Sequence, residues 1–456
     1  MKHAIFGIFA ASALAGALAL HAADGGEQAV WTDYMNWELR PDTVKSENAQ
    51  KEVRNTKDLT VPMHGPWLTN PEYTAMTISW ISRIPCGGGL EYREKGTEDW
   101  KRVWQTTYGQ IHYGTDIHSF HLTGLKPGTE YEYRLVSSFE AWECSVGREI
   151  NAFRTLDPKR DRYMVFITSD FHGGSRLTLN PMVRNTNALN ADMFFFLGDN
   201  IEDSLQNARY YTTFGLLDDV TRVWGKTKPS LFLRGNHDSW GKESWKYGEY
   251  FPRPDGKSYF TVLQGPVLFI CFDYFGVGAR RNVVSNQAND YMLEQIEWYK
   301  ALKKTAAWKN AKFRIAMAHV GTHACEGQET ETNDVLKQWK AVLNDPSPEG
   351  RIHLFLCGHE HIYRRIDPLA QETKVSSGVA RHLRQFTSDF HYGLVVLHQG
   401  EGMTLDVTPE KLTFKSHRWT DKKGGLYDAF EVTPDGKIKD LMDVRKFPLT
   451  WPEKKK

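Results

Sequence analysis

Side chains that bind metal ions recur in five short segments between residues 169 and 361. They are carboxylates, imidazoles and one amide, and no thiolate is among them. Such a mixture of hard and borderline ligands favours manganese, iron, zinc or nickel over a soft metal. A single tetrahedral zinc ion would leave several of these ligands unused, so the sequence predicts two divalent metal ions. The candidate ligands are Asp170, His172, Asp199, Asn236, His319, His359 and His361.

The spacing within these segments brings ligands together in pairs. Asp170 and His172 are two residues apart, so their side chains point the same way on an extended backbone, and His359 and His361 repeat this arrangement. Asp199 carries two carboxylate oxygens, enough to bridge two cations. Each residue taken alone is most simply explained as part of a polar loop. The strings Gly-Asn-His-Asp and Gly-His-Glu-His are rarer, and their joint occurrence in this order indicates a metal site.

Each ligand-bearing segment follows an apolar run, and these runs predict the elements that position the ligands. A short apolar run that ends at Gly, Asp or His is typical of a buried strand whose loop begins at that residue. Five such strand ends would deliver the ligands to the carboxyl edge of a sheet, where open α/β sheets bind ligands. The runs span residues 163–168, 193–197, 231–233, 313–317 and 352–356.

The order of the five segments resembles the pattern of the calcineurin-like metallophosphoesterases, over roughly residues 160–420. That pattern is Asp-x-His, Gly-Asp, Gly-Asn-His-Asp/Glu, a single His and Gly-His-x-His, and all five blocks are present here. The resemblance implies that His237 is a catalytic histidine outside the ligand set. It also implies two metals, one held by Asp170, His172, Asp199 and His361 and the other by Asp199, Asn236, His319 and His359.

The segment 358–365, Gly-His-Glu-His-Ile-Tyr-Arg-Arg, is especially similar to the purple acid phosphatase branch of that family. That branch places a Tyr three residues after the bridging Asp, where the Tyr ligates ferric iron and produces the colour. Glu202 stands at that position here. We therefore predict a colourless protein with divalent metals.

Residues 61–156 have the pattern of a small antiparallel β-sandwich. Residues 74–80 alternate and are rich in β-formers, and turns containing Gly or Pro recur at short intervals. Segment 122–134, Leu-Thr-Gly-Leu-Lys-Pro-Gly-Thr-Glu-Tyr-Glu-Tyr-Arg, resembles the turn-and-strand signature of fibronectin type III-like domains. His112, His118 and His121 lie in this domain without a Cys or carboxylate to complete a ligand set, so we expect surface or core histidines.

Beyond a linker at Asp157 and Pro158, strands alternate with helices and the pattern then returns to strands. Periodicity predicts a hairpin within residues 259–274 and helices over residues 177–190, 205–224, 290–307 and 334–343. The predicted fold class is an α/β (α+β) sandwich at residues 160–450, with two mixed β-sheets flanked by helices, preceded by the all-β sandwich.

The first 23 residues have the composition of a secretory signal peptide, with Lys2, a small apolar run and a cleavage site at Ala22-Ala23. A polar extension follows at residues 24–60, and we expect export to the periplasm or the extracellular space. Formal net charge is +1, with no basic stripe and no membrane span. We therefore expect neither nucleic acid nor a membrane surface as the main partner, and the oligomeric state stays open.

The cysteine count is odd, at five. Cys271 and Cys357 lie inside apolar runs and are expected to be buried thiols. Cys86 and Cys144 both fall in the first domain, and the sequence leaves open whether they form a disulfide. Cys325 lies close after His319 along the chain.

The resemblance implies a phosphoric-ester hydrolase whose two cations lower the pKa of water and supply hydroxide to attack a phosphomonoester. His237 would protonate the leaving oxygen or stabilise the developing charge, and Asp238 either orients His237 or is a turn carboxylate. His323 and Glu202 are candidate substrate contacts, with ordinary loop residues as the alternative. A phosphodiesterase acting on nucleotides, glycerophosphodiesters or lipid head groups is one alternative function, and a non-catalytic binding protein is another.

Overall fold

The computed structural model describes residues 60–139, 144–172, 182–183, 186–201, 213–241, 243–274, 287–323, 334–370, 374–375, 389–399, 401–418 and 425–446. These residues belong to one compact unit, Thr60–Lys456. The predicted signal peptide, Glu202, Cys325 and half of the predicted helix 177–190 lie outside the described residues. In the part of the chain that is described, no helix combines the length and the apolar character needed to cross a membrane.

The first domain is an antiparallel β-sandwich. Its strands are β1 (His64–Thr69), β2 (Met76–Ile81), β3 (Gly87–Glu94), β4 (Lys101–Trp104), β5 (Thr106–Thr107), β6 (Gln110–Ile111), β7 (Ile117–Leu122), β8 (Glu130–Ser138), β9 (Cys144–Val146) and β10 (Asn151–Arg154). One sheet has the order β1-β2-β7, and the other has the order β10-β8-β3-β4 with β9 paired to β8. In β7 every second side chain is buried, and Phe120 stacks on Trp80 of β2 with ring centroids 5.4 Å apart. The period-two alternation of the sequence therefore packs one face of each sheet into the core.

Two mixed seven-stranded sheets form the second domain. Its strands are β11 (Tyr163–Thr168), β12 (Met193–Phe196), β13 (Ser230–Phe232), β14 (Phe260–Gln264), β15 (Val267–Cys271), β16 (Phe313–Met317), β17 (Leu354–Cys357), β18 (Arg364–Ile366), β19 (Lys374–Val375), β20 (Gly393–Val396), β21 (Gly402–Val407), β22 (Leu412–His417), β23 (Leu426–Val432) and β24 (Ile438–Met442). The sheet orders are β13-β12-β11-β21-β22-β23-β24 and β14-β15-β16-β17-β20-β18-β19. Strands β11 to β13 are parallel to one another, as are β15, β16, β17 and β20.

Helices pack against these sheets. The main hydrophobic core lies between the two sheets. The α-helices are α1 (Thr213–Val220), α2 (Tyr247–Tyr250), α3 (Ala288–Leu302), α4 (Ala306–Asn310) and α5 (Asp334–Leu343), and a π-helical turn, Thr221–Gly225, continues α1. Val165 and Phe195 of one sheet meet Phe269 and Ile315 of the other in a single buried cluster. The predicted fold class, two mixed sheets with helices behind an all-β sandwich, is confirmed.

The single helix predicted over residues 290–307 is wrong, because two helices occupy that stretch. Helix α3 ends at Leu302, and Thr305 adopts an extended backbone with ψ 159°. The Thr305 hydroxyl donates to the Leu302 carbonyl at 2.7 Å and accepts from the Trp308 backbone N–H at 3.3 Å. The Thr305 side chain thus ends α3 and caps α4. A capping Thr does not interrupt the apolar periodicity, so the sequence pattern did not reveal the break.

The sandwich shares a hydrophobic core with the second domain. Trp67 and Ile81 lie in one buried cluster with Phe166, Phe194 and Phe196 of β11 and β12. His64 donates from Nδ1 to the Asp218 carboxylate of α1 at 2.9 Å. The sandwich therefore adds to the cover that α1 and the π-helical turn give the phenylalanine-rich outer face of β11 and β12.

The first domain has histidines and cysteines both in its core and at its surface. His118 is fully buried and hydrogen bonds through its ring nitrogens to Ser82 and Gln105, whereas His112 is exposed. Cys86 and Cys144 are both free thiols, the former buried and the latter exposed, so the disulfide that the sequence left open is not formed. Cys271 and Cys357 of the second domain are both buried.

We expect His118 to make the protein sensitive to acid. Burial lowers its pKa to about 4, against about 6.5 in an unfolded chain. Its contribution to stability is therefore complete above about pH 6.5 and is lost as the pH falls towards about 4. His118→Gln should reduce the loss of unfolding free energy between about pH 7 and about pH 4.5 by about 2–3 kcal/mol. Urea unfolding of both proteins with a chelator checks this, and identical pH dependence would contradict it.

Candidate metal centre

The candidate ligands follow the ends of five strands on both sheets. Asp170, Asp199 and Asn236 follow the adjacent parallel strands β11, β12 and β13, and His319 and His359 follow the adjacent parallel strands β16 and β17. Parallel neighbours end at the same edge, so each sheet presents its ligands on one side. The edges of the two sheets meet, because the His359 backbone N–H donates to Asp170 Oδ1 at 3.1 Å and His319 Nδ1 donates to the Leu197 carbonyl at 2.9 Å.

Backbone strain is concentrated in these ligand loops. Eight described non-glycine residues have positive φ, and five of them are candidate ligands, at φ between 48° and 74°. This left-handed conformation costs about 1–2 kcal/mol for an L-residue and persists where surrounding contacts impose it. The five residues are Asp170, His172, Asp199, His359 and His361.

Two motif glycines are required because ligand loops approach each other closely. A Cβ on Gly235 would lie 2.2 Å from the Asp199 backbone nitrogen. A Cβ on Gly358 would lie 2.0 Å from Ser169 Oγ and 2.3 Å from Asp170 Oδ2. The glycines before Asn236 and His359 are therefore contact points between different strands.

Gly358→Ala should disrupt the centre, because its Cβ must displace the loop of Asp170. We expect a loss of at least about tenfold in metal affinity, the lower end of what displaced supporting residues cost. Gly248→Ala is the matched control, since a Cβ there meets nothing within 4 Å. Metal content after dialysis measures both variants, and retention of metal by Gly358→Ala would refute the steric argument.

Two donor groups meet at Asp199. Ligand atoms of Asp170, His172, Asp199 and His361 lie within 4.8 Å of one another, and those of Asp199, His319 and His359 do the same. In the first group, the Nε2 atoms of His172 and His361 face each other at 2.9 Å, and His361 Nε2 is 3.4 Å from Asp170 Oδ1. Two imidazole nitrogens that converge in this way suit a shared cation.

Asn236 joins the second group. Its Oδ1 lies 3.0 Å from His319 Nε2 and 2.8 Å from His359 Nδ1. His319 Nδ1 donates to the Leu197 carbonyl at 2.9 Å, which directs Nε2 towards Asp199 Oδ2 at 3.2 Å. A carbonyl that fixes the tautomer of a histidine in this way is typical of a metal-ligating imidazole.

Charges in the centre favour cation binding. Burial lowers the pKa of both His172 and His359 to about 4, so both imidazoles are neutral at pH 7. Burial opposes ionisation of Asp199, but the neighbouring His319 and His237 outweigh it and hold the pKa of this carboxyl below its usual range. Asp199 in turn outweighs burial and raises the pKa of His319 to about 9. A cation bound there would therefore displace a proton from His319.

His237 lies beside both groups without belonging to either. Its backbone N–H donates to Asp199 Oδ1 at 2.9 Å, and its Nε2 is 4.0 Å from Asp199 Oδ2. The side chain is 23% exposed, whereas that of His319 is fully buried. Its ring meets the ring of His172 edge-on at 4.5 Å and packs against Trp240 at 4.1 Å. His237 is thus held at the open side of the centre.

Asp238 binds the backbone of the ligand loops. Its carboxylate accepts from the backbone N–H groups of Gly235 at 2.7 Å, Ile201 at 3.0 Å and Asn200 at 3.1 Å. Burial, together with the charge of Asp199, raises its pKa to about 7. These bonds join the loops after β12 and β13, which agrees with the turn-carboxylate role of the two that the sequence left open.

Two family comparisons match this chain. The calcineurin-like phosphoesterase family matches residues 163–363, and the purple acid phosphatase N-terminal domain matches residues 66–155. The chain carries a calcineurin-like phosphoesterase domain behind a purple acid phosphatase N-terminal domain. No curated protein sequence matches the chain. The resemblance predicted from the motifs is confirmed, and the family implies a hydrolase of phosphate esters.

Solved structures share the fold of this chain at low identity. The purple acid phosphatase PPD1 from yellow lupin seeds is 15% identical with a TM-score of 0.56, over 82% of this chain and 75% of that chain. PhoD is 11% identical with a TM-score of 0.55, over 83% of this chain and 92% of that chain.

The donor set of the calcineurin-like domain fits divalent cations. All donors are carboxylate, amide or imidazole atoms, and they converge from five loops on two adjoining positions. Cys271 and Cys357 are buried in the hydrophobic clusters and do not belong to either donor group. The sequence thus identified residues that the structure brings together.

The candidate substrate contacts of the calcineurin-like domain have different positions. Glu202 lies outside the described residues. His323 is buried and hydrogen bonds through Nε2 to Glu360, which also accepts from Arg364 at 2.8 Å. Sequence reasoning missed this role of Glu360 and Arg364, although both residues stand within the quoted segment 358–365. The signal available was a carboxylate between two ligand histidines.

Proposed function

We propose that this chain is an exported phosphomonoesterase with two divalent metal ions, manganese, iron or zinc. Asp170, His172, Asp199 and His361 hold one ion, and Asp199, Asn236, His319 and His359 hold the other. The observation that carries the proposal is that Asp199 belongs to both donor groups. A carboxylate shared by two donor groups is the arrangement of a dinuclear site, which suits hydrolysis of phosphate esters.

Each residue has a defined task in this proposal. Two divalent cations, when bound, supply Lewis acidity and a nucleophilic hydroxide at neutral pH. Asp199 aligns the two donor groups and also holds the backbone of His237. His237 donates a proton to the leaving oxygen or stabilises its charge, and Trp240 keeps the imidazole at the open side. Asp238 holds the loops together.

A paired assay tests the function. Mature protein loaded with Mn²⁺ or Zn²⁺ is given nitrophenyl phosphate and bis-nitrophenyl phosphate. Faster release from the monoester is the expected result. Faster release from the diester would replace this proposal with a phosphodiesterase. No release from either, with two metals bound, would favour the non-catalytic binding protein.

Export and domain boundaries belong to the same proposal. The predicted signal peptide ends near Ala23, with the sandwich at 61–156 and the calcineurin-like domain at 160–450. N-terminal sequencing of the protein recovered from outside the cytoplasm checks the cleavage site, and recovery of an uncleaved chain inside the cell would contradict export.

The loaded protein should be colourless. Glu202 stands where the purple branch has its iron-ligating Tyr, so the chain lacks the ligand that produces the colour. An absorption spectrum of the protein loaded with iron checks this, beside a Glu202→Tyr variant. A visible charge-transfer band in the natural sequence would contradict the prediction.

A further inference from the structure

Glu360 lies between the candidate ligands His359 and His361, and its side chain is only 10% exposed. The carboxylate accepts a hydrogen bond from His323 Nε2 and another from Arg364 Nη2, the latter at 2.8 Å. The His323 and Arg364 side chains are themselves 3% and 4% exposed. A carboxylate that accepts from two buried donors is held in place, because breaking a hydrogen bond or ion pair in a buried position costs free energy.

This contact joins the two loops that carry the second donor group. His323 follows His319 by four residues on the segment after β16, whereas Glu360 follows His359 directly on the loop after β17. His319 and His359 converge on Asn236 Oδ1, at 3.0 and 2.8 Å. The contact between Glu360 and His323 therefore sets the separation of these two histidines.

The backbone turn around Glu360 must also be stabilised by contacts from outside the turn. His359 and His361 both have left-handed backbones, with φ of 74° and 57°. Such strain persists only where surrounding contacts impose the conformation. Arg364 lies on β18, which pairs with β20, so its bond to Glu360 anchors the turn to the sheet.

We propose that Glu360 is a positioning residue that acts through His323 and Arg364 to hold His359 against His319, and so sets the metal affinity of the second site. The inference rests on the proposed function only in taking those histidines as metal ligands. The first site takes only His361 from this turn and draws Asp170, His172 and Asp199 from other loops, so it depends less on this contact. Loss of a supporting contact of this kind costs about 10–100-fold in metal affinity.

Calorimetric titration of the full mature chain with Zn²⁺ tests the proposal, together with metal content and the melting temperature without metal. Glu360→Gln keeps the shape of the side chain and removes its charge. Glu410→Gln is the matched control, because Glu410 is 66% exposed and pairs with Arg162 at the surface. We expect Glu360→Gln to weaken one of two binding steps by about 10–100-fold and the control to weaken neither. Two unchanged steps in Glu360→Gln would overturn the inference.

A second variant keeps the test valid if Glu360→Gln does not fold. His323→Gln should weaken the same step, and the double variant should lose no more than the larger single loss, because the two residues act through one contact. Fully additive losses would overturn the proposal. So would a raised KM of His323→Gln at saturating metal with normal metal affinity, since His323 would then contact substrate. A natural chain that binds fewer than two metals would instead refute the proposed dinuclear site.

Discussion

Asp199→Ala should abolish metal-dependent hydrolysis, with a fall of about a thousandfold or more in kcat/KM. At about 1.4 kcal/mol per tenfold this is a loss of at least ~4 kcal/mol of transition-state stabilisation. Both donor groups contain Asp199, and its Oδ1 also accepts the backbone N–H of His237. One substitution therefore removes a ligand from each site and releases the loop of the proposed acid.

Metal content separates these effects. Asp199→Asn retains an oxygen for the His237 N–H but loses the negative charge, so it should bind less metal while keeping more of the loop structure than Asp199→Ala. Asp406→Ala is the control, because Asp406 is 42% exposed and pairs with Lys415 on the neighbouring strand. Asp199→Ala protein that retains two metals and full activity would contradict the dinuclear proposal.

His237→Ala should lower kcat by about 10²–10⁴-fold, the range of general acid–base catalysis, while both metals stay bound. The imidazole lies beside both donor groups but is in neither. The fall should be larger for an alkyl phosphate than for nitrophenyl phosphate, because nitrophenolate leaves readily without a proton.

The leaving-group comparison decides the role of His237. His112→Ala is the matched control, since His112 is an exposed histidine of the sandwich. A reduction of less than about tenfold for both esters would count against the acid role. Equal reductions for both esters would indicate that His237 stabilises the phosphoryl charge instead of protonating the leaving oxygen.

Much of the fold could be predicted because its determinants are local. Strands β2, β7 and β8 carry period-two alternation, and helix α5 coincides with the predicted span 334–343. The short strands β18 and β19 gave no such signal, because 3 and 2 residues are too few to show an alternation. The break between α3 and α4 was missed because the Thr305 cap adds polar contacts without disturbing the apolar pattern.

The chemistry of the centre was present in the sequence by itself, in the types and order of its residues. Seven carboxylate, imidazole and amide side chains stand directly after apolar runs, and that placement is a property of the local chain. The family comparisons agree with the motifs on which this prediction rested. The glycines of the motifs were also visible in the sequence. The sequence did not show why glycine is required, which is that Asp199 approaches Gly235 and Asp170 approaches Gly358 closely.

Only the tertiary structure decided how these residues are shared and supported. The contact between His172 and His361 spans 189 positions, and that between His319 and Asn236 spans 83. Pairing over such distances depends on how two sheets pack, which local periodicity does not encode. The same reason explains why Glu360 has His323 as its partner, why Asp238 binds loop backbone, and why Cys86 and Cys144 remain free thiols.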